Sequence, residues 1–236
     1  MSEQAALITA DTLRAIDLFA DLPAAVRAEI ATHCRGGHFE AGDQIVFQED
    51  SGREVFFIVS GSVRVTFHSR PGKDVQFRDQ HAGELFGELS AVDGRPRSAE
   101  VTALESVFVG MIPPRDFCEV AAAHPVVAQK LFVRMATLIR SLTDRVVELS
   151  TLGVSNRIHA ELLRLARAHG VSDNQSEIRP APTHADIASR VSTQREAVTR
   201  EIGALVKSGI VQRKRGALGI SDVARLEHMV INAANL

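Results

Sequence analysis

Glu88, Arg97 and Ser98 bring a carboxylate, a guanidinium and a hydroxyl into one short stretch of the chain. Just ahead of them, the apolar strand that includes Phe86 gives way to Gly87-Glu88-Leu89-Ser90, where a short helical turn begins and leaves a run of free backbone N–H groups. Such a turn is a ready anion site. The rigid Arg fork matches two phosphate oxygens. A carboxylate nine residues earlier cannot hold that phosphate, but it accepts hydrogen bonds from a sugar hydroxyl. Phosphate plus ribose in one small cradle reads as a nucleotide. A lone Glu…Arg pair at this spacing is more often a surface ion pair of little energetic weight. The full run from Phe86 to Ala99, with Arg97-Ser98-Ala99 following Asp93-Gly94-Arg95-Pro96, is far more specific.

A second group of residues has the chemistry for DNA. Between Arg190 and Arg215 there are seven Lys and Arg against two Glu. A charge run is usually a solvated face, but these charges fall on one expected helix and the strand pair after it. Arg195 and Glu196 open that helix and Arg200 follows more than a turn later. Arg bonds bidentately to guanine, and Glu accepts from cytosine N4. The residues assigned to DNA are Thr183, Thr193, Gln194, Arg195, Glu196, Thr199, Arg200 and Lys214.

Several elements must position these groups. Residues 1–34 read as amphipathic helix, with Asp21-Leu22-Pro23 as a cap and Pro in the first turn of a second helix. From Gly36 to Pro113 the period changes to short apolar runs: Gln44–Phe47, Val55–Val59, Ser62–Phe67, Val75–Arg78, Ala99–Ala103 and Ser106–Ile112. Glycine turns separate them, among them Gly36-Gly37, Ser60-Gly61, Pro71-Gly72 and Asp93-Gly94. Such spacing indicates a β-barrel or jelly roll. Pro113-Pro114 ends the strands, and a long helix runs from Pro125 to about Leu152. Leu131, Met135, Leu138, Leu142, Leu149 and Leu152 form a heptad seam for a second helix, interrupted by Arg145. A second stripe, Phe132, Ile139 and Val146, is assigned to packing on the β-domain. Gly153 marks a hinge. Thr183 with Asp186 has capping-box spacing at the start of a helix. A turn at Ser192-Thr193 and a second helix complete a helix-turn-helix, and a β-wing holds Arg213-Lys214-Arg215-Gly216 in its turn. The fold class expected is α+β in three parts: a jelly-roll domain with N-terminal helices over 1–124, a dimerisation helix over 125–152, and a winged helix-turn-helix domain over 153–236.

The chain has 236 residues, 45% hydrophobic and 24% charged, ordinary for a globular protein. From Val154 onward there are 12 Lys and Arg against 8 Asp and Glu, and before it 15 against 21. That asymmetry joins an acidic part to a part that meets a polyanion. There is no signal pattern and no apolar run of the ~20 residues needed to span a bilayer, so the expectation is cytoplasmic, with no membrane. Cys34 and Cys118 lack metal spacing and read as core fillers.

The stretch Phe86-Gly87-Glu88-Leu89, a spacer, then Arg97-Ser98-Ala99 resembles the phosphate-binding cassette of the cyclic-nucleotide-binding domains. Arg195-Glu196 with Arg200 resembles the recognition helix of the CRP/FNR superfamily. The resemblance covers roughly Leu18 to Leu226 and implies a homodimeric transcription regulator of the catabolite-activator type. It would bind a palindromic double-stranded DNA operator and act with RNA polymerase. The implied effector is a cyclic nucleotide, cAMP or cGMP, with no covalent cofactor. By the same resemblance Glu88 takes the ribose 2′-hydroxyl, Arg97, Ser98 and the Gly87 backbone take the phosphate, and Phe86, Leu89 and Ser90 complete the cassette. Where the family has two hydroxyl residues reaching the base, this chain has Leu142 and Thr143. A basic residue one turn earlier is matched by Leu138.

Four other readings compete. A same-fold iron–sulfur sensor needs about four cysteines, and two are present. A haem-bound gas sensor leaves the cassette unexplained, and a ligand-independent regulator leaves it unused. An enzyme with a nucleotide site needs a nucleophile–base constellation that the scattered histidines, among them His33, His38, His68, His81 and His124, do not form.

Overall fold

The computed structural model describes residues 7–68 and 74–234. The chain divides into two compact units, Met1–Leu138 and Ile139–Leu236. The Pro71-Gly72 turn lies outside the described residues.

The first unit opens with α1 (Ala10–Arg14) and α2 (Ala24–Thr32). Thr9 caps α1: its hydroxyl accepts from the Thr12 N–H while the Thr12 hydroxyl accepts from the Thr9 N–H. Pro23 is the N-cap of α2, one place ahead of the first-turn position expected. The strands that follow are β1 (Arg35–Phe39), β2 (Gln44–Val46), β3 (Val55–Ser60), β4 (Ser62–His68), β5 (Asp74–His81), β6 (Leu85–Phe86), β7 (Glu100–Ala103) and β8 (Val107–Ile112), with α3 (Glu88–Asp93) between β6 and β7. They form two antiparallel sheets, ordered β1-β8-β3-β6 and β2-β7-β4-β5. This is the expected jelly roll.

Strand β3 explains why its sequence is apolar without alternation. Phe56 and Ile58 pack inside the roll with Val63, Val101 and Val109, whereas Val55 and Phe57 pack outside it with Phe19, Phe117 and Val127. Phe57 meets Phe19 edge-on, with centroids 5.9 Å apart. Gly110 lies opposite Phe57, and a Cβ there would fall 2.0 Å from its ring.

Gly36-Gly37, read above as a turn, lies inside β1 and pairs with Gly110 and Val109. A Cβ on Gly37 would approach the Met111 side chain to 3.1 Å, so Gly37 serves close packing rather than reversal. The segment after Pro113 is a helix, α4 (Pro114–Ala123), with Pro114 in its first turn.

Helix α5 (Pro125–Thr151) begins in the first unit and ends in the second. Its two stripes do not divide as expected, and the seam itself splits, with Leu142 and Leu149 left 36% and 47% exposed. Leu131, assigned to the seam, is buried in the first unit's core beside Val127, and Met135 packs against that core. Phe132, Ile139 and Val146, assigned to the β-domain, are 71%, 63% and 63% exposed. The seven-residue repeat shows in both stripes, but the packing changes along the helix: only the N-terminal part of the seam meets the first unit's core.

The second unit contains α6 (Val154–Ala168), β9 (Ser176–Ile178), α7 (His184–Arg190), α8 (Arg195–Lys207), β10 (Val211–Lys214), β11 (Ala217–Ile220) and α9 (Val223–Ala234). One core of Ile158, Leu162, Ile187, Val198, Ile202, Ile220 and Leu226 holds them. The three-stranded sheet runs β10-β11-β9. Arg213 and Lys214 are strand residues, and the wing turn is at Arg215-Gly216 instead. Among the described residues no helix is long and apolar enough to cross a membrane.

Candidate functional site

In the first unit the cassette assembles around Arg97. β6 delivers Phe86, whose ring stacks on Phe56 at 4.9 Å, and then the chain turns at Gly87. Gly87 has φ +84°, and a Cβ there would lie 2.6 Å from Arg97 Nη1 and 2.9 Å from the Glu54 carbonyl oxygen. Only glycine combines that left-handed backbone with that approach. Arg97 is 3% exposed. Its Nη1 donates to the Gly87 carbonyl at 3.0 Å, its Nη2 donates to the Glu54 carbonyl at 2.8 Å, and its guanidinium lies 5.6 Å from the centre of the Phe56 ring. Burial pushes the Arg97 pKa down, while the charges of Glu54, Asp50 and Glu88 pull it up. A guanidinium has five N–H donors, so donors remain for a ligand.

Glu88 is the first residue of α3 and is buried. Its Oε1 accepts from Arg134 Nε at 3.3 Å. Arg134 also donates to the Leu85 carbonyl and stands 3.9 Å from Glu84. The sequence reading missed Arg134. Leu138 stands where the resemblance has a basic residue, and the structure supplies one a turn earlier on α5. The half-buried Arg78 stands in the same field: burial lowers its pKa first, then the charge of Arg134, against Glu84 and Glu88. Of the remaining cassette residues, Ser90 is buried, while Leu89 and Ser98 are exposed.

Leu142 and Thr143 lie on the part of α5 that belongs to the second unit. The Thr143 hydroxyl donates to the Ile139 carbonyl of its own helix at 3.0 Å, leaving that oxygen as an acceptor.

The second unit presents the residues assigned to DNA. Thr183 caps α7: its hydroxyl accepts from the Asp186 N–H and the Asp186 carboxylate accepts from the Thr183 N–H, both at 3.0 Å. The turn places Ser192 at φ +52°, and the Thr193 N–H donates to the Ala188 carbonyl at 2.9 Å. Gln194 is the N-cap of α8, and Arg195, Glu196, Thr199 and Arg200 are all exposed, while Val198 and Ile202 anchor the opposite face. Thr199 Oγ1 donates to the Arg195 carbonyl at 3.0 Å and lies 2.8 Å from His184 Nδ1. Lys214 pairs with Glu177 at 2.7 Å, and Glu177 also holds Arg179. Lys214 and Arg179 together hold the Glu177 carboxyl below its ordinary range.

Arg190, counted above among the DNA-facing charges, points inward instead. It reaches the carboxylate of Glu161 on α6 at 3.3 Å, and Glu161 is 1% exposed. Arg164 pairs with the same carboxylate, and Arg145 of α5 lies 3.6 Å from it. Arg145 also donates to the Arg190 carbonyl and Arg157 to the Val191 carbonyl, so two arginines satisfy the C-terminal end of α7. The interruption of the apolar pattern at Arg145 is this contact.

Two family models match the chain. The cyclic nucleotide-binding domain covers residues 37–124, and the Crp-like helix-turn-helix domain covers 156–229. The chain is 29% identical over 196 residues to the cyclic AMP receptor protein of Thermus thermophilus, covering 83% of this chain and 88% of that one. It is similar to the solved catabolite activator protein of Thermus thermophilus, at 26% identity and TM-score 0.53, covering 92% of this chain and 99% of that one. In fold alone it resembles CooA from Carboxydothermus hydrogenoformans, at TM-score 0.74 and 18% identity over 84% of this chain and 88% of that one. A cassette built on a buried arginine, a helix-turn-helix with an exposed basic helix, and both family models in this order place the chain in the CRP/FNR family of transcription regulators.

Proposed function

We propose that this regulator is a cytoplasmic homodimer that binds a palindromic DNA operator in response to a cyclic nucleotide, cAMP in preference to cGMP. It uses no covalent cofactor, performs no catalysis and acts with RNA polymerase. Residues 1–124 form the ligand domain, 125–152 the dimerisation helix and 153–236 the DNA-binding domain. The observation that carries this reading is the Arg97 guanidinium, buried but still holding unused donors, fixed 3.0 Å from the Gly87 carbonyl at the start of α3. Arg97, Ser98 and the backbone at Gly87 to Ser90 take the cyclic phosphate, between Phe86 and Leu89. Glu88 takes the ribose 2′-hydroxyl on the oxygen that Arg134 does not use.

Base choice rests on Thr143, beside the apolar Leu142. With its proton committed to the Ile139 carbonyl, its oxygen accepts from the adenine N6 amino group and has nothing to donate to guanine O6. One hydroxyl discriminates weakly, so cGMP binds within about one to two orders of magnitude of cAMP, a gap of ~1.4–2.8 kcal/mol. The exposed stripe Phe132, Ile139 and Val146 on α5 supports a second copy of the chain as the partner.

The test is calorimetric titration of dialysed protein with cAMP and cGMP, on wild type and Arg97→Ala. Wild type binds both, cAMP more tightly, and Arg97→Ala binds neither while keeping its circular dichroism. Unchanged affinity in the variant removes Arg97 from the site and overturns the reading.

A further inference from the structure

Arg97 shares its surroundings with two carboxylates that no other cation among the described residues pairs with. Its Nη2, which donates to the Glu54 carbonyl at 2.8 Å, also lies 3.6 Å from the Glu54 carboxylate. A Cβ placed on Gly52 would lie 3.3 Å from Asp50 Oδ2, 3.4 Å from Glu54 Oε2 and 3.7 Å from Arg97 Nη2, so both carboxylates and the guanidinium converge on one point. Glu88, the third acid near Arg97, is already met by Arg134. The guanidinium of Arg53 lies instead by Gly94, just past the end of α3. Among the described residues one positive charge therefore faces Glu54 and Asp50 together.

We propose that Glu54, with Asp50 behind it, is a charge filter on this cradle, admitting a ligand phosphate with one negative charge and disfavouring one with two. This rests on the cyclic-nucleotide reading above and adds to it a residue that selects the ligand class. A cyclic phosphodiester carries one negative charge. A phosphate monoester such as 5′-AMP carries about two above its second pKa near 6. The repulsion from a fixed carboxylate scales with the ligand's charge, so it penalises the monoester twice as much. The Glu54 side chain is 41% exposed, so its repulsion is partly screened and costs the phosphodiester little, while its carbonyl stays on Arg97. Burial lowers the Arg97 pKa, and the charges of Glu54, Asp50 and Glu88 oppose that lowering, as acids near it must.

The experiment measures cAMP directly, and 5′-AMP as a competitor against it, at pH 8 and low salt, on wild type, Glu54→Gln and Glu119→Gln. Glu54→Gln keeps the volume and the backbone contact and removes only the charge. Glu119 pairs with Arg115 on α4 and controls for the general loss of negative charge. The expected result is that Glu54→Gln tightens cAMP about threefold and 5′-AMP about tenfold, the logarithmic gain doubling with the charge, while Glu119→Gln leaves the ratio alone. Equal gains, no gain, or a 5′-AMP that competes with neither protein overturns the filter and leaves the cyclic-nucleotide reading intact. A folded wild type that does not bind cAMP overturns both.

Discussion

Gly87 shows what a single position can be required to do. Its φ of +84° and the contacts awaiting a Cβ leave no room for a side chain. Gly87→Ala is expected to cost ~1–3 kcal/mol of stability and to abolish nucleotide binding by displacing Arg97. With no Trp or Tyr in the chain, urea unfolding followed by circular dichroism is the measurement. The cysteines separate as clearly. Burial, then Asp116, pushes the Cys34 thiol up to about 12, so it stays protonated at pH 8, whereas Cys118 is exposed. Alkylation at pH 8 followed by mass spectrometry should modify Cys118 and spare Cys34. Which residues were legible follows from sequence distance. Glu88, Arg97 and Ser98 declare themselves because the cassette is local. Arg134 and Glu54 reach it from 46 residues beyond Glu88 and 43 before Arg97, and no spacing rule joins them.

At the scale of elements, α8 divides cleanly into an anchored face and an exposed one. Arg200→Ala should cost ~1–3 kcal/mol on the specific operator and little on scrambled DNA, because a base-edge contact discriminates and a phosphate contact does not. Lys214→Ala should weaken both duplexes equally and reduce the salt slope, by less than a full charge because Glu177 already competes for it. Gel shifts on the two duplexes separate these outcomes. On α5 the stripe of Phe132, Ile139 and Val146 is the more exposed face and the one to break first. Ile139→Glu is expected to turn a dimer into a monomer in sedimentation, with the fold retained. The strands of the roll were readable from their period except β1, and among the helices α4 was missed. β1 hides because Gly36-Gly37 reads as a turn, and α4 hides because paired prolines mark an end as readily as a beginning.

For the molecule as a whole, the second unit is held by a carboxylate that composition alone gives no reason to notice. Glu161 gathers Arg145, Arg164 and Arg190 from three helices. Removing one partner of a buried ionic group typically costs ~3–5 kcal/mol, because the remaining charges stay buried without it. Glu161→Leu should therefore lower the unfolding midpoint of the second unit sharply, and circular dichroism melting would register it as an early transition. The overall architecture was legible as a succession of periods. This ionic junction was not, because its members are distant in sequence and each looks like an ordinary surface charge.

The pairing of β1 with β8 sets a timetable for synthesis. Arg35 finds its partner Met111 only after roughly 75 further residues have been made, a wait of ~4–15 s at ~5–20 residues per second. Until then β1 is a strand without a neighbour, and unpaired strands recruit other chains. The two glycines that disguise it in the sequence also make it a poor template, being weak in β-propensity and low in apolar surface. The roll thus delays closure on a segment poorly suited to aggregate in the interval.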